Sequence, residues 1–408
     1  MFISGIRNGI LVLCLFVATV HADAASWKVT IKVLDDLKGE TPVVAEIKEE
    51  VPPGNYLLGS LNQSFRATVY RLDGKTVLAT VLGPSGKPGA RTYSLRSADQ
   101  VVLETSGVGF REEGKNLEVL VGGKLLTVYR ADLAEKPYFY PVNGPTGDSF
   151  TRAYPMQPDV VGEAHDHPHQ RSFWFTHGLV NGDDFWASDP LNKPKETFGS
   201  IKETSRAAVA SGASIGVLKT TDDWLGHDGK KVCEDERIVR FYDTKHVRVI
   251  DFDVTIKATA GPVTFGDTKE GMFGLRLASS MDVKNKTGGK ITNAEGITDD
   301  NAWGKASPWV DYVGPVKGKT VGAAILNHPS SFRYPTTWHV RTYGLFAANP
   351  FGRHDFGMKK SGEYVLPDGG SIRFAYRVIL HEGDTSSAHV ADAFKAYARP
   401  PLVEVKAE

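Results

Sequence analysis

Two cysteines in 408 residues leave little room for disulfide chemistry. Cys14 lies in an apolar N-terminal run, and Cys233 then stands alone, so a processed chain forms no internal bridge. Nothing beside Cys233 marks it as a nucleophile rather than a small buried residue. An excess of one charge is missing too. Lys+Arg and Asp+Glu both total 48, with no like-charged run, which argues against nucleic acid or an anionic membrane surface as partner. Beyond the N-terminal run, no apolar stretch approaches the ~20 residues of a spanning helix. No G-x-S-x-G elbow, H-E-x-x-H helix or metal-binding C-x-x-C occurs, which sets aside serine hydrolases and zincins. Neither βαβ alternation, a glycine-rich phosphate loop nor an internal repeat is visible.

The N-terminal run itself reads as a signal peptide over residues 1–24. Arg7 supplies the positive start, residues 10–20 (ILVLCLFVATV) the apolar stretch, and Ala22-Asp23-Ala24 the small-x-small site, with cleavage after Ala24. Leu13, before Cys14, is not the small residue that a lipoprotein site needs. The expectation is an exported protein, periplasmic or extracellular, with no membrane span.

The 42 Gly, 22 Pro and 10% aromatic residues suit many short strands and tight turns. Trp27, Val29, Ile31 and Val33 alternate with polar residues, the period of a half-buried strand. Similar runs continue to about Phe110, predicting a small β-sandwich domain over residues 25–112. Glu112-Glu113-Gly114-Lys115 reads as a linker. Beyond it, Gly122-Gly123 predicts a hairpin between Leu117–Val121 and Leu125–Tyr129. Further strands are expected over Ala207–Leu218, Arg237–Tyr242, Val247–Ile256, Phe273–Leu277, Val321–Leu326, Tyr343–Ala347 and Ile372–His381. One helix is predicted, Ala388–Tyr397, from helical spacing before Pro400. The expected fold class is therefore all-β, with a large antiparallel sandwich over residues 113–408.

Four histidines, His165, His167, His169 and His177, fall within thirteen residues. In a strand, residues i and i+2 share a face at about 6.6 Å, so His165, His167 and His169 suit a divalent metal, with a further ligand from elsewhere. His177 is about 26 Å further along a continuous strand and joins them only if the chain turns. Pro168 allows another reading, a loop that projects imidazoles into a cleft for catalysis or substrate binding. Asp183, Asp184 and Trp186 follow, carboxylates beside an aromatic ring, the pairing that sugar sites use. A charged stretch, Asp267, Lys269 and Glu270, precedes an apolar strand and offers acid/base groups at its mouth. His339 and Arg341 alternate onto one strand face with Trp338 on the other, and His328 precedes Pro329. Asp311 and Tyr312 lie between these segments.

The runs at 136–145 (KPYFYPVNGP), 166–171 (DHPHQR), 173–178 (FWFTHG), 180–186 (VNGDDFW), 267–271 (DTKEG) and 338–351 (WHVRTYGLFAANPF) resemble the exported bacterial PmoA-like family, a domain of unknown function. The resemblance runs from about residue 115 to 400. It departs at Gln170, where members often carry a second His, and at Leu179, where they carry Asp. The label names a methane oxygenase whose membrane subunit is built from spanning helices, and this chain has none. The resemblance instead implies an outline similar to galactose-mutarotase-like supersandwiches and, by association, a sugar-related role.

These readings give a carbohydrate-active protein whose cleft is lined by Arg152, His167, His169, Arg171, His177, Asp184, Glu270, His328, His339 and Arg341. His167, His169, Glu270 and His339 are its acid/base candidates. Arg152, Arg171, His177, Asp184, Trp186, Lys269, His328 and Arg341 are its substrate contacts. Hydrolysis, elimination and epimerisation all remain open. The rival readings are a metal-dependent oxidoreductase using His165, His167 and His169, and a non-catalytic glycan-binding protein. Substrate identity and oligomeric state are left unassigned.

Overall fold

A computed structural model describes residues 26–98, 106–132 and 135–408. The segment 1–24, expected to be a signal peptide, lies outside the described residues.

The N-terminal part is a seven-stranded antiparallel sheet. Its strand Trp27–Val33 alternates buried and solvent-facing residues as the sequence period requires. Val29, Ile31, Val43, Leu58, Val69 and Leu78 meet in one apolar cluster inside it. Tyr70, Val77 and Ala79 face the other way, onto Ile215, Val217 and Tyr242 of the following sheets. The sheet's last strand, Leu402–Ala407, comes from the far end of the chain and pairs with Trp27–Val33. The stretch Glu112–Lys115, read as a linker, is instead the tight turn joining Val108–Glu113 to Asn116–Val121.

Two eight-stranded antiparallel sheets form the large sandwich. The first runs, across neighbouring strands, through Trp338–Val340, Leu345–Ala348, Gly271–Arg276, Phe173–His177, Tyr138–Val142, Lys124–Arg130, Asn116–Val121 and Val108–Glu113. The second includes Lys231–Tyr242, Arg248–Lys257, Ser371–Glu382 and Lys319–Asn327. Aromatic side chains fill the space between them: Phe273 stacks on Tyr376 at 4.4 Å, and Phe173 lies 5.7 Å from Phe252. Each buried Phe is worth roughly 1.5–3 kcal/mol of apolar transfer, so this layer fixes how the two sheets sit on each other. The hairpin at Gly122-Gly123 forms as expected, and the helix is Val390–Ala398. The single strand read over Ala207–Leu218 is two, Ser200–Ser211 and Ile215–Leu225, reversed around Gly212.

What positions the site is the pleat of the first sheet. Phe173, Phe175, Phe273, Leu275 and Phe346 point into the sandwich. Tyr138, Tyr140, Trp174, Leu345 and Ala347 point to the other face, where loops cover them. Trp338 is buried in the sandwich core as predicted, so its neighbour His339, opposite Ala347, emerges on the loop-covered face.

Candidate functional site

The histidine stretch is not a strand. Residues 163–171 run as a loop, with His167 in the left-handed region at φ 43°, a conformation uncommon for a non-glycine residue. One buried guanidinium holds the loop in shape. Arg152 donates to the carbonyls of Tyr154 (3.0 Å), Ala164 (3.2 Å), Asp166 (2.7 Å), His167 (2.9 Å) and Gln170 (3.4 Å), and to Asp166 Oδ1 at 2.5 Å. Arg152, expected to contact substrate, is therefore a clamp: all of its donors are occupied by the loop it anchors.

A second buried guanidinium, Arg276, donates to the same Asp166 Oδ1 at 2.7 Å and to Gln170 Oε1. Asp166 Oδ2 faces His167 Nδ1 at 3.2 Å. Burial works against an ionised Asp166, but the His167 contact and the Arg276 and Arg152 charges outweigh it and hold the carboxyl well below the usual range. An ionised carboxylate only accepts, so His167 carries its proton on Nδ1 and leaves Nε2 as the free lone pair. The His167 ring stacks on Tyr343 at 5.5 Å with 7° between planes, and its side chain is 43% exposed. Sequence reading passed over Asp166, Arg276 and Tyr343. The acidic residue beside His167 was the one local hint.

His169 lies 5.7 Å from His167, ring centre to ring centre. Its Nδ1 accepts from the Asn192 amide at 2.9 Å, so the proton sits on Nε2. Burial, with the Lys136 charge, pushes its pKa down to about 3, which keeps it neutral. Lys136 is buried, donating to the carbonyls of Trp186 (3.0 Å) and Ser188 (2.7 Å), and burial lowers it to about 8.

Glu270 stands at the mouth of strand Gly271–Arg276, its carbonyl accepting from Gly178 at 2.6 Å. Its carboxylate lies 3.4 Å from Lys269 Nζ, and burial raises its pKa against that lysine's pull, with Asp184 adding to the rise and His167 opposing it. Asp184 Oδ1 accepts from the Ala187 amide at 2.8 Å. His339 is 2% exposed, and neither ring nitrogen makes a hydrogen bond, although the Lys269 main chain lies close. Burial and the Arg341 charge lower it to about 3. Arg341 lies over Trp303 (5.7 Å) and over Tyr343 (5.6 Å).

The fold thus gathers His167, His169, Glu270, Lys269, Asp184, His339 and Arg341 on one face. Other expected members leave the group. Arg171 makes a two-pronged pair with buried Asp189 (2.5 and 2.9 Å), so its donors are turned from solvent. His177 falls on the inner face of its strand, donates from Nε2 to the Gly266 carbonyl at 2.8 Å and packs on Phe351 at 4.9 Å. Trp186 is 1% exposed and packs on Trp174 at 5.2 Å, so it offers no open platform. His328 is on the opposite side of the sandwich, against Tyr397 at 5.0 Å and Ser330 at 2.8 Å. Asp267 holds the loop at 353–362 through the amides of His354 and Gly362 (3.0 and 2.6 Å).

The expected metal triad also separates. His165 stacks on Tyr154 at 4.4 Å, His167 stacks on Tyr343, and Nδ1 of His169 is taken by Asn192. Among the described residues, no group of three or more His, Cys, Asp or Glu is placed to share an ion.

Residues 116–395 match the model of a family of unknown function, DUF6807. No curated protein matches the sequence. Among solved structures, the chain is similar to a glycosyl hydrolase family 38 protein from Enterococcus faecalis, at TM-score 0.40 and 9% identity, covering 95% of this chain and 48% of that one. It is likewise similar to an alpha-mannosidase from Enterococcus faecalis V583, at TM-score 0.41 and 9% identity, covering 94% and 46%. A GH36 alpha-galactosidase from Geobacillus stearothermophilus, in complex with stachyose, aligns at TM-score 0.31 and 11% identity over 68% and 40%. This chain spans less than half the length of these structures.

Proposed function

The chain belongs to the DUF6807 family of unknown function, and we propose that it is a carbohydrate-active enzyme in which His167 and Glu270 move protons on a bound sugar. What supports this reading is an imidazole oriented by Asp166 and, on the same face, a carboxyl whose pKa burial raises. Asp166, locked by two guanidiniums, fixes the His167 ring and leaves Nε2 able to accept a proton. Glu270, its pKa raised by burial, is the group proposed to give one. Such a pair serves any step that protonates a departing oxygen while a base takes a proton from water or from a ring carbon, so hydrolysis, elimination and epimerisation share it. Neutral His169, through Nε2–H, and Lys269 and Asp184 offer bonds to hydroxyls. The PmoA-like resemblance adds an association with sugars. The reading includes export by segment 1–24, for which the N-terminus of secreted protein should be Ala25.

The test is product formation by purified protein across a broad glycan panel, with Glu270→Gln and His167→Gln beside the wild type. Turnover should fall roughly 100-fold or more in each variant while binding persists, the usual scale for a lost acid or base. Binding that survives Glu270→Gln with no product from any glycan would make this a glycan-binding protein instead. A stoichiometric copper, iron or zinc lost on changing His167 and His169 would replace the reading with the metal-dependent one.

A further inference from the structure

Hydrogen-bond donors without acceptors collect at one corner of this site. The Trp303 Nε1–H is buried with no partner, and the nitrogens of buried His339 have nothing nearer than the Lys269 main chain, which lies outside full hydrogen-bond geometry. A neutral imidazole carries one N–H in either tautomer, so His339 adds a donor. The two side chains meet across Phe356, which lies 5.2 Å from Trp303 and 6.4 Å from His339. Arg341 lies over the same Trp303 ring, and among the described residues it has no carboxylate within ion-pair distance, its guanidinium resting only against the Trp303 and Tyr343 rings. The surrounding carboxylates lie against other cations: Asp166 against Arg152 and Arg276, Glu270 against Lys269 at 3.4 Å, and Asp282 against Lys284 at 3.6 Å, although neither Asp282 oxygen makes a hydrogen bond. Arg276 and Lys284 also lie against the Tyr343 ring, at 4.9 and 5.7 Å, adding to the positive field there.

A buried donor without an acceptor costs on the order of 1–3 kcal/mol. Two in one corner, beside an unpaired guanidinium, describe a place completed by a ligand rich in acceptors and negatively charged. We propose that this corner is a carboxylate subsite, with Arg341 as its main cation and Trp303 and His339 as supporting donors, and that the sugar it takes is a uronate. The inference rests on the carbohydrate reading above and names the substrate class for it. Planar carboxylate suits the guanidinium fork, which can grip both oxygens at once. Position agrees with this: His167 and Arg341 contact the same Tyr343 ring, at 5.5 and 5.6 Å, so a carboxylate held by Arg341 belongs to the sugar in front of the His167 imidazole or to its neighbour.

Calorimetric titration with oligogalacturonate and oligoglucuronate, their carboxyl-reduced neutral counterparts and a sulfated galactan tests the proposal. Binding of at least one uronate oligomer should be tenfold or more tighter than that of its neutral counterpart and should weaken with added salt. Arg341→Gln should remove that preference, with Arg341→Lys retaining part of it, which separates a lost charge from a misfolded loop. Neutral oligomers bound as well as uronates, or a preference untouched by Arg341→Gln, would overturn the subsite while leaving the acid/base reading standing. A preference for the sulfated glycan over every uronate would overturn the carboxylate assignment. Uronate binding that depends on Arg341, with no turnover by wild type on any uronate, would uphold the subsite and count against the enzymatic reading alone.

Discussion

Replacing Arg152 with Met tests how the histidine loop is held. The side chain is fully buried and bonds five main-chain carbonyls between Tyr154 and Gln170, besides Asp166. At even 1 kcal/mol per bond to a charged donor, those carbonyls alone would lose about 5 kcal/mol if the loop kept its shape. It need not keep it. No residue from Tyr154 to His169 is buried, so the loop can open to water without exposing much apolar surface, and opening limits the loss. The expected result is a local change, in which the loop opens while the sandwich stays folded. A drop of about 3 kcal/mol in opening free energy raises the open population more than a hundredfold. Limited proteolysis should then cleave Arg152→Met between residues 154 and 169 at least a hundred times faster than wild type, with the melting temperature of the sandwich little changed. Product formation should vanish with it, because His167 and His169 ride on the loop. Wild-type cleavage rates in Arg152→Met would refute the clamp. So would cleavage that appears only when the whole chain unfolds.

The Arg171–Asp189 pair is buried and two-pronged, so Arg171→Met, which strands the carboxylate, should cost about 3–5 kcal/mol in chemical denaturation. Adding Asp189→Leu should recover most of that loss, whereas a substrate role for Arg171 would leave stability nearly unchanged. His177 has a pKa lowered by burial to about 4, below the ordinary value of about 6.5 in an unfolded chain. Between those values the unfolded state binds more protons, so stability is lost as pH falls from 6.5 towards 4. By pH 5 the loss from this one group is about 2 kcal/mol, and denaturation at pH 7 and pH 5 should show His177→Gln losing that much less than wild type. Equal losses in the two proteins would mean that folding does not lower the His177 pKa.

Much of the architecture was legible because it depends on neighbours in sequence. Alternation marked the strand Trp27–Val33, Gly122-Gly123 marked a hairpin, and the Trp338/His339 alternation correctly assigned one to the core and the other to the outer face. The histidine stretch shows where this reasoning stops. His165, His167 and His169 have strand spacing, yet Pro168 and the left-handed His167 belong to a loop, and Ser172 at φ 58° turns the chain before His177 enters its strand. Which arginine meets which carboxylate was not legible. Asp166 is claimed by Arg152, fourteen residues away, and by Arg276, 110 residues away, and no local pattern distinguishes these arginines from Arg341, which has no carboxylate partner among the described residues. Likewise His328 and His339 are eleven positions apart, but the chain carries them to opposite sides of a sandwich.

The pairing of Trp27–Val33 with Leu402–Ala407 has a mechanical side. Trp27 is opposite Ala407, and Ser26 Oγ reaches Glu408 across a separation of 382 residues. Antiparallel neighbours with their free ends together are loaded crosswise when those ends are pulled, so their bonds break one at a time rather than all at once. Force applied through Ser26 and Glu408 would therefore unzip this strand pair at low load, long before it reached the aromatic layer between the two large sheets. Closing the clasp also carries the loop entropy of nearly the whole chain, a cost that grows only slowly with loop length.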